Sequence, residues 1–230
     1  MKTLGLIGGT TWVSTVDYYR LINQMVNQRL GGLNSARMLL YSVNFEEFRP
    51  PDTVEGWENV TQRIIAIART LEQGGAEGLV LCANTLHKIA DPVQEKIGIP
   101  IIHIAKATAA EIGKAQLHKV ALLGTKFTMQ EPFYHDKLRA QGIETLIPEQ
   151  NDRLYIHDAI LDEMALEIFK PETKQRFLEI IAQLQQRGAQ AIVLGCTEIP
   201  ILIKTTDTTA PLFDTTHIHA QAAVDFTLSD

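Results

Sequence analysis

Strand-like and helix-like segments alternate along the whole chain of 230 residues, and this order limits the folds that it can adopt. The first segment, "TLGLIGG" at residues 3–9, is short, apolar and closed by glycines, which is typical of a buried strand. The second, residues 14–30, spaces its apolar side chains as a helix does, and we expect Ser14 or Thr15 to cap it. Regular alternation of this kind predicts an α/β fold, with mostly parallel sheets and helices on both faces.

The same reasoning assigns the other elements. Strands are predicted at 37–45, 76–85, 99–104, 118–125, 143–148, 189–197 and 211–214. Helices are predicted at 59–75 and 88–98, from about 129, and over about 151–186.

The second half of the chain repeats the first. Adding 113 to the residue numbers lays residues 75–85 on 188–198, where glycine, alanine, valine and leucine recur in the same order. A nearby offset lays Pro100 on Pro211. We therefore predict two pseudo-symmetric α/β domains. Their predicted limits are 1–98 plus 211–230 for the first domain and 99–210 for the second.

The composition excludes several classes of partner. The formal net charge is −6 and no block of Lys and Arg stands out, so we expect no nucleic-acid partner. No apolar run approaches the roughly 18 residues that a membrane span needs, and the first residues do not resemble a signal peptide. Two cysteines make no disulfide framework in a chain of this length, which favours a cytoplasmic protein.

Small and polar residues gather where strands are predicted to end, and in open parallel sheets ligands bind beyond these carboxyl ends. The segments concerned are Gly8–Thr11, Asn44–Arg49, Cys82–Thr85, Gly124–Thr125, Cys196–Glu198 and Asp214–Thr216. We expect the two domains to face each other, so that these strand ends form one active-site cleft. Helix N-termini directed into that cleft would favour an anionic ligand.

The sequence lacks the common motifs for nucleotide binding, metal binding, serine hydrolysis and pyridoxal-phosphate chemistry. "GLIGGT" matches neither common phosphate-binding loop, and we interpret it as a tight turn that approaches an anion closely. The histidines and cysteines show no metal-ligand spacing, and His217 and His219 are interpreted as surface or capping residues, so no metal is expected. Neither a G-x-S-x-G motif nor an obvious pyridoxal-phosphate lysine is found.

Cys196 is the strongest candidate for a catalytic side chain. It follows a glycine at the end of an apolar run, and it precedes Thr197 and Glu198 at the predicted cleft. A thiol between a strand end and a helix N-terminus is expected to have a lowered pKa, which suits a nucleophile or a general base.

Four motifs resemble the signatures of the cofactor-independent aspartate/glutamate racemases, and the likeness covers essentially the whole chain. They read "KTLGLIGGTTWVSTVDYYRLIN", "CANTLHK", "ALLGT" and "GCTEIP". The resemblance implies two facing α/β domains with a thiol at each strand end, where one thiolate removes the Cα proton and the other thiol protonates the opposite face. It also implies a small acidic amino acid as substrate, no pyridoxal phosphate or other cofactor, and a homodimer.

The first thiol of that pair is missing from its expected place. The family pattern is C-N-T, whereas this chain reads Cys82-Ala83-Asn84-Thr85, and the internal repeat also lays Cys196 on residue 83. Neighbouring side chains of a strand point to opposite faces, so Cys82 is expected to point away from the cleft. Three explanations stay open: a subgroup that uses another residue, a water or a reoriented Cys82; a deliberate substitution; or an enzyme that no longer racemises.

The resemblance also suggests which residues bind the substrate. Arg49 follows the second strand, where the family has an arginine that pairs with the distal carboxylate; a solvated loop arginine is the alternative. Aspartate-specific relatives carry a lysine near the position of Ala165, and here the nearest lysine is Lys170. Further contacts are expected from Thr10, Thr11, Ala83, Asn84, Thr85, Thr197 and Glu198.

The resemblance therefore implies an amino-acid racemase, an isomerase that acts on aspartate or glutamate through Cys196, with Cys82 as the other candidate base. A decarboxylase or isomerase of small dicarboxylates that uses a single thiol is the first alternative. A catalytically silent protein that binds an acidic amino acid is the second.

Overall fold

Two compact units make up the chain in the computed structural model, which describes residues 1–229. The first unit comprises Met1–His103 and the chain from His219 onward, and the second comprises Ile104–Ile218. The first unit therefore ends at His103 rather than at the predicted residue 98, and it resumes at His219 rather than at 211. The chain does not return to the first unit at 211, because the strand that follows still pairs within the second sheet.

Each unit contains one parallel sheet. In the first the strand order is β2–β1–β3, with β1 at Leu4–Gly8, β2 at Met38–Ser42 and β3 at Gly78–Leu81. In the second the order is β5–β4–β6–β7, with β4 at Lys119–Gly124, β5 at Glu144–Leu146, β6 at Ala191–Gly195 and β7 at Leu212–Asp214. The predicted α/β class with two parallel sheets is confirmed.

Helices connect these strands. Those of the first unit are α1 (Trp12–Leu30), α2 (Val54–Gln73) and α3 (Ala90–Gln94). Those of the second are α4 (Ile104–Lys114), α5 (Lys126–Gln130), α6 (Pro132–Arg139), α7 (Gln150–Asp162), α8 (Pro171–Gln186) and α9 (Ile199–Leu202). α10 (Thr215–Leu228) carries the chain from the second unit back to the first. Among residues 1–229, none of the helices is long and apolar enough to cross a membrane.

The glycine pair after β1 makes room for the chain itself. A Cβ on Gly8 would lie 2.4 Å from Thr15 Cγ2, and Gly9, with a φ of +88°, donates its N–H to Thr15 Oγ1 at 2.8 Å. This commits the Thr15 hydroxyl, so α1 starts earlier than predicted and is capped by Thr11, whose side chain accepts from the Ser14 N–H. The tight turn was predicted correctly, and within the chain the group that approaches its backbone is Thr15.

The predicted strand at 99–104 is reduced to one isolated bridge, between Leu79 and Ile101. Leu79 donates its N–H to the Pro100 carbonyl at 2.9 Å, and its own carbonyl accepts from Ile102. The chain enters α4 at Ile104, so the pairing ends directly after this bridge. The second unit has the same bond, from Ile192 N–H to the Pro211 carbonyl at 2.9 Å, and there the chain continues into β7.

Apolar side chains cover both faces of the second sheet. On β6, Ile192 and Leu194 belong to one cluster of buried residues, which α7 and α8 cover. Ala191 and Val193 belong to another, which α4 and α6 cover. Because successive strand residues point to opposite faces, this division gives each face of the sheet its own core. Burial on both faces explains why the strands read as continuous apolar runs.

Candidate functional site

Cys196 lies directly after β6, in contact with a carboxylate. Its thiol donates to Glu198 Oε2 at 2.9 Å, and the Thr197 hydroxyl donates to the same oxygen at 2.8 Å. All three side chains are buried. The sequence Cys-Thr-Glu therefore folds into a compact group in which one carboxylate oxygen accepts two hydrogen bonds.

The pKa of Cys196 is raised well above its ordinary value, so the predicted lowering is wrong. Burial is the largest cause, followed by the negative charge and the hydrogen bond of Glu198, which both favour the protonated thiol. The backbone N–H groups of Thr197 and Glu198 act in the opposite direction, but less strongly. Cys196 is consequently a thiol at rest, with a proton acceptor already in place.

Glycine precedes Cys196 because the ends of β4 and β6 approach closely. A Cβ on Gly195 would lie 2.7 Å from the Leu123 carbonyl oxygen, and a Cβ on Gly124 would lie 2.6 Å from the Gly195 carbonyl oxygen. Thr125 follows and caps α5 by accepting from the Thr128 N–H. A larger residue at Gly195 would push the Cys196 segment away from the edge of the sheet.

Thr216 stands at the next strand end and was not predicted as a site residue. Leu194 pairs with Asp214 across β6 and β7, so Cys196 and Thr216 each lie two residues beyond that pair. The Thr216 hydroxyl is buried and finds no hydrogen-bond partner among residues 1–229, while the Asp214 carboxylate accepts from the Thr216 and His217 N–H groups. The strand-to-helix junction was recognised in the sequence, but the unsatisfied hydroxyl shows only in the structure.

The predicted site residues of the first unit gather at one edge of its sheet. Thr10 follows β1, and Ala83, Asn84 and Thr85 follow β3, which pairs with β1. The last three are buried. The Thr10 hydroxyl is a buried polar atom without a hydrogen-bond partner in the described part of the chain. Such an atom is costly unless a ligand or water satisfies it.

Arg49 lies in the loop after β2, on the other side of β1. Its side chain is exposed, and within residues 1–229 it makes no hydrogen bond or ion pair. Arg63 nearby is committed instead: it donates to the Glu47 carboxylate at 2.6 Å and to the Glu47 carbonyl at 2.7 Å, and it covers the Phe48 ring. Of these two guanidinium groups, only that of Arg49 is available to a carboxylate ligand.

Cys82 lies in an apolar core and Lys170 lies in an ion pair. The Cys82 side chain is fully buried in the first unit's apolar core with Leu6, Val80 and Ile22, and burial raises its pKa. Lys170 is tied to Glu163 by an ion pair of 2.8 Å, which lowers the pKa of that carboxyl. Neither residue carries a group poised for a ligand.

The interpretation of His219 as a surface or capping residue is wrong. Its side chain is fully buried in the first unit and lies against Tyr18 and His87, whereas His217, two residues earlier on α10, is exposed. Buried His103 also contacts His87. Among the described residues, no group of three or more His, Cys, Asp or Glu side chains is arranged to hold a metal ion.

Comparisons with known proteins agree over nearly the whole chain. The sequence matches the family model described as Asp/Glu/Hydantoin racemase over residues 7–223. A broad specificity amino-acid racemase from Bacillus subtilis strain 168 is 23% identical over 229 residues, with 96% of each chain covered. Among solved structures, a candidate Asp/Glu racemase from Yersinia pestis is 43% identical with a TM-score of 0.91, and all of both chains is covered. An aspartate racemase homologue from Pyrococcus horikoshii OT3 is 34% identical with a TM-score of 0.85, again over both full chains.

Proposed function

Because the chain belongs to the Asp/Glu/Hydantoin racemase family, we propose that it interconverts the L and D forms of aspartate or glutamate. The Cα proton is transferred through the Cys196 thiol, without pyridoxal phosphate. The observation that carries this proposal is the bond of 2.9 Å from the Cys196 thiol to Glu198 Oε2. It joins an ionisable sulfur to a proton acceptor at the carboxyl end of β6, where parallel sheets bind their ligands.

The raised pKa of Cys196 gives the thiol two roles. As an acid, the S–H group delivers its proton to the carbanion at Cα and becomes a thiolate. As a base, the sulfur first passes its proton to Glu198 Oε2, and the resulting thiolate then removes the Cα proton. In the second case the carboxylate becomes a neutral acid, so no extra negative charge accumulates in this buried group.

Ala83 stands where the second thiol of the pair is expected. In each unit one strand residue donates its N–H to a prolyl carbonyl: Leu79 in the first and Ile192 in the second. Ala83 lies four residues after Leu79, and Cys196 lies four residues after Ile192. The Cys82 sulfur, in turn, packs in the apolar core. A methyl group neither gives nor takes a proton, so in this proposal water or another donor protonates the second face of the substrate.

We assign the remaining contacts of the proposed substrate to the side chains that the sequence predicts for the site. Arg49 pairs with the distal carboxylate through its planar guanidinium. The Thr10 hydroxyl, with Thr11, Asn84, Thr85 and Thr197, supplies hydrogen bonds to the α-carboxylate and the amino group. A shared cleft, a homodimer and a cytoplasmic location also stay predictions.

The proposal is tested with L- and D-aspartate and with L- and D-glutamate in D2O, without added cofactor. Chiral chromatography measures inversion, and loss of the α-proton NMR signal measures exchange. Exchange should be faster from one enantiomer than from the other and should outpace inversion, because a single sulfur can return a deuteron to the face that it stripped. Other amino acids belong in the panel, since the B. subtilis relative is named for broad specificity.

Three other results would replace the proposal. Loss of a carboxyl group would indicate the single-thiol decarboxylase, and binding by calorimetry without exchange would indicate a silent acidic amino-acid binding protein. Equal exchange rates for both enantiomers would mean that a second competent base stands opposite Cys196.

Arg49→Lys is expected to raise the KM for aspartate or glutamate by about 10–100-fold, because a charge-assisted, two-pronged pair is reduced to a point contact. Steady-state kinetics on both enantiomers measure the effect. Arg63→Lys is the matched control, since Arg63 already pairs with Glu47 in the same region. If both variants keep the wild-type KM, Arg49 does not bind the substrate.

A further inference from the structure

Three histidines, His87, His103 and His219, pack together next to the loop that follows β3. His87 and His219 are 1% and 0% exposed, and their ring centroids lie 5.3 Å apart. The third ring, His103, lies 4.8 Å from His87. We call these three residues the histidine cluster. The proposed proton transfer uses none of them, although buried imidazoles are polar groups that need partners.

The contacts of His219 define its tautomer. Its Nε2 lies 2.5 Å from the Ile102 carbonyl oxygen, which can only accept, so Nε2 carries the hydrogen. Burial, reinforced by His87, lowers the pKa of His219 to about 3, and the ring is therefore neutral at neutral pH. Nδ1 is left as an acceptor, and it takes the Tyr18 hydroxyl hydrogen at 2.8 Å.

His87 has the opposite tautomer. Its Nδ1 lies 2.9 Å from the Ala83 carbonyl oxygen, so Nδ1 carries the hydrogen and donates it there. Burial lowers the pKa of His87 to about 4, against the raising effect of the carbonyls of Ala83, Ile102 and Asn84. The neutral ring has a single N–H group, and we place it on Nδ1, directed at the site loop, which we define as residues 83–85.

The Ala83 carbonyl is the group that links the cluster to the site. The backbone N–H of Ala83 donates to the Leu81 carbonyl at 2.8 Å, and the backbone N–H of His87 donates to the Asn84 carbonyl at 3.0 Å. The His87 ring adds the bond from its Nδ1 to the Ala83 carbonyl. Asn84 and Thr85, which we assign to the substrate, are neighbours in the same loop.

We propose that His87 is a positioning residue whose Nδ1–H group holds the Ala83 carbonyl and thereby fixes the orientation of the site loop toward the substrate. The inference rests on the proposed function, because the loop matters only if it binds the substrate. His103 and His219, with Tyr18 behind them, keep the His87 ring in place. His87 itself does not touch the reacting atoms.

Two amide variants separate the donor from the ring. The side-chain nitrogen of asparagine reaches about the position of Nδ1, and that of glutamine about the position of Nε2. His87→Asn should therefore keep the bond to Ala83, and His87→Gln should lose it. We expect kcat/KM to fall about tenfold in His87→Gln and to stay within about threefold in His87→Asn. Exposed His118→Asn is the control and should match the wild type.

A second measurement does not depend on activity. Amide hydrogen exchange at the site loop should be faster in His87→Gln but not in His87→Asn, and two-bond nitrogen–proton NMR should show an Nδ1–H imidazole that disappears in both variants. An Nε2–H tautomer for His87, or equal losses in the two variants, would overturn the proposal. If the wild type neither racemises nor exchanges its substrate, the proposed function fails, while loop exchange still decides whether His87 holds the Ala83 carbonyl.

Discussion

Cys196→Ser should abolish both racemisation and exchange of the α-proton, lowering kcat by about 10²–10⁴-fold. The serine hydroxyl keeps the size and a hydrogen bond to Glu198, but its proton is far too tightly held for that carboxylate to remove near neutral pH. The loss should therefore appear with either enantiomer, and for exchange as well as inversion. Chiral chromatography and loss of the α-proton NMR signal in D2O measure the two rates.

Cys82→Ala is the matched control for the other thiol. The Cys82 sulfur lies in the core beside Val80, so its removal should lower the free energy of unfolding by about 1 kcal/mol and leave both rates nearly unchanged. If Cys82→Ala stays folded and is as inactive as Cys196→Ser, then Cys82 serves as the second base and Ala83 does not mark the place of a missing one.

The central strands β1, β3, β4 and β6 were readable from the sequence because they are buried on both faces, whereas the helix α4 was not predicted. The errors arose where a single contact decides the outcome. The strand at 99–104 was predicted from its apolar composition, but the chain enters α4 at Ile104, directly after a single bridge between Leu79 and Ile101. The start of α1 was misplaced because the Thr15 hydroxyl binds Gly9 instead of capping the helix.

The candidate site shows the same limit. The position of Cys196 followed from its glycine neighbour and its place after an apolar run. The direction of its pKa shift did not, because it depends on how the Glu198 side chain turns, and sequence spacing alone does not show that. The histidine cluster was missed for another reason: His87, His103 and His219 come from three distant segments that only the fold brings together.

Acidification below about pH 6.5 is expected to destabilise the first unit through His87 and His219. Their pKa values in the folded chain are about 4 and about 3, against an ordinary value of 6.5, because burial disfavours the charged rings. Between those limits the unfolded chain binds more protons than the folded chain, so stability is complete above pH 6.5 and falls as the pH falls. Two such groups should remove about 2–4 kcal/mol between pH 7 and pH 5.

The carboxyl groups with a shifted pKa titrate below that window. The cluster's close neighbours are His103 and Tyr18, which face His87 and His219. The carboxyl groups with a lowered pKa titrate below about pH 4.5 in the unfolded chain, and they lie in the second unit: Glu163, Glu179 and Asp207. Loss of stability that begins near pH 6.5 is therefore a signature of the imidazoles.

Urea unfolding followed by tryptophan fluorescence reads out this effect selectively, because both tryptophans, Trp12 and Trp57, belong to the first unit. His87→Asn and His219→Gln each remove one titrating ring while keeping the donor position that binds Ala83 or Ile102. Each variant should be less stable at pH 7, because ring packing is lost, yet show about half of the wild-type pH dependence. Comparing slopes rather than absolute stabilities separates the charge effect from the packing effect. The explanation is wrong if all three proteins lose stability equally between pH 7 and pH 5, since the protons would then bind elsewhere.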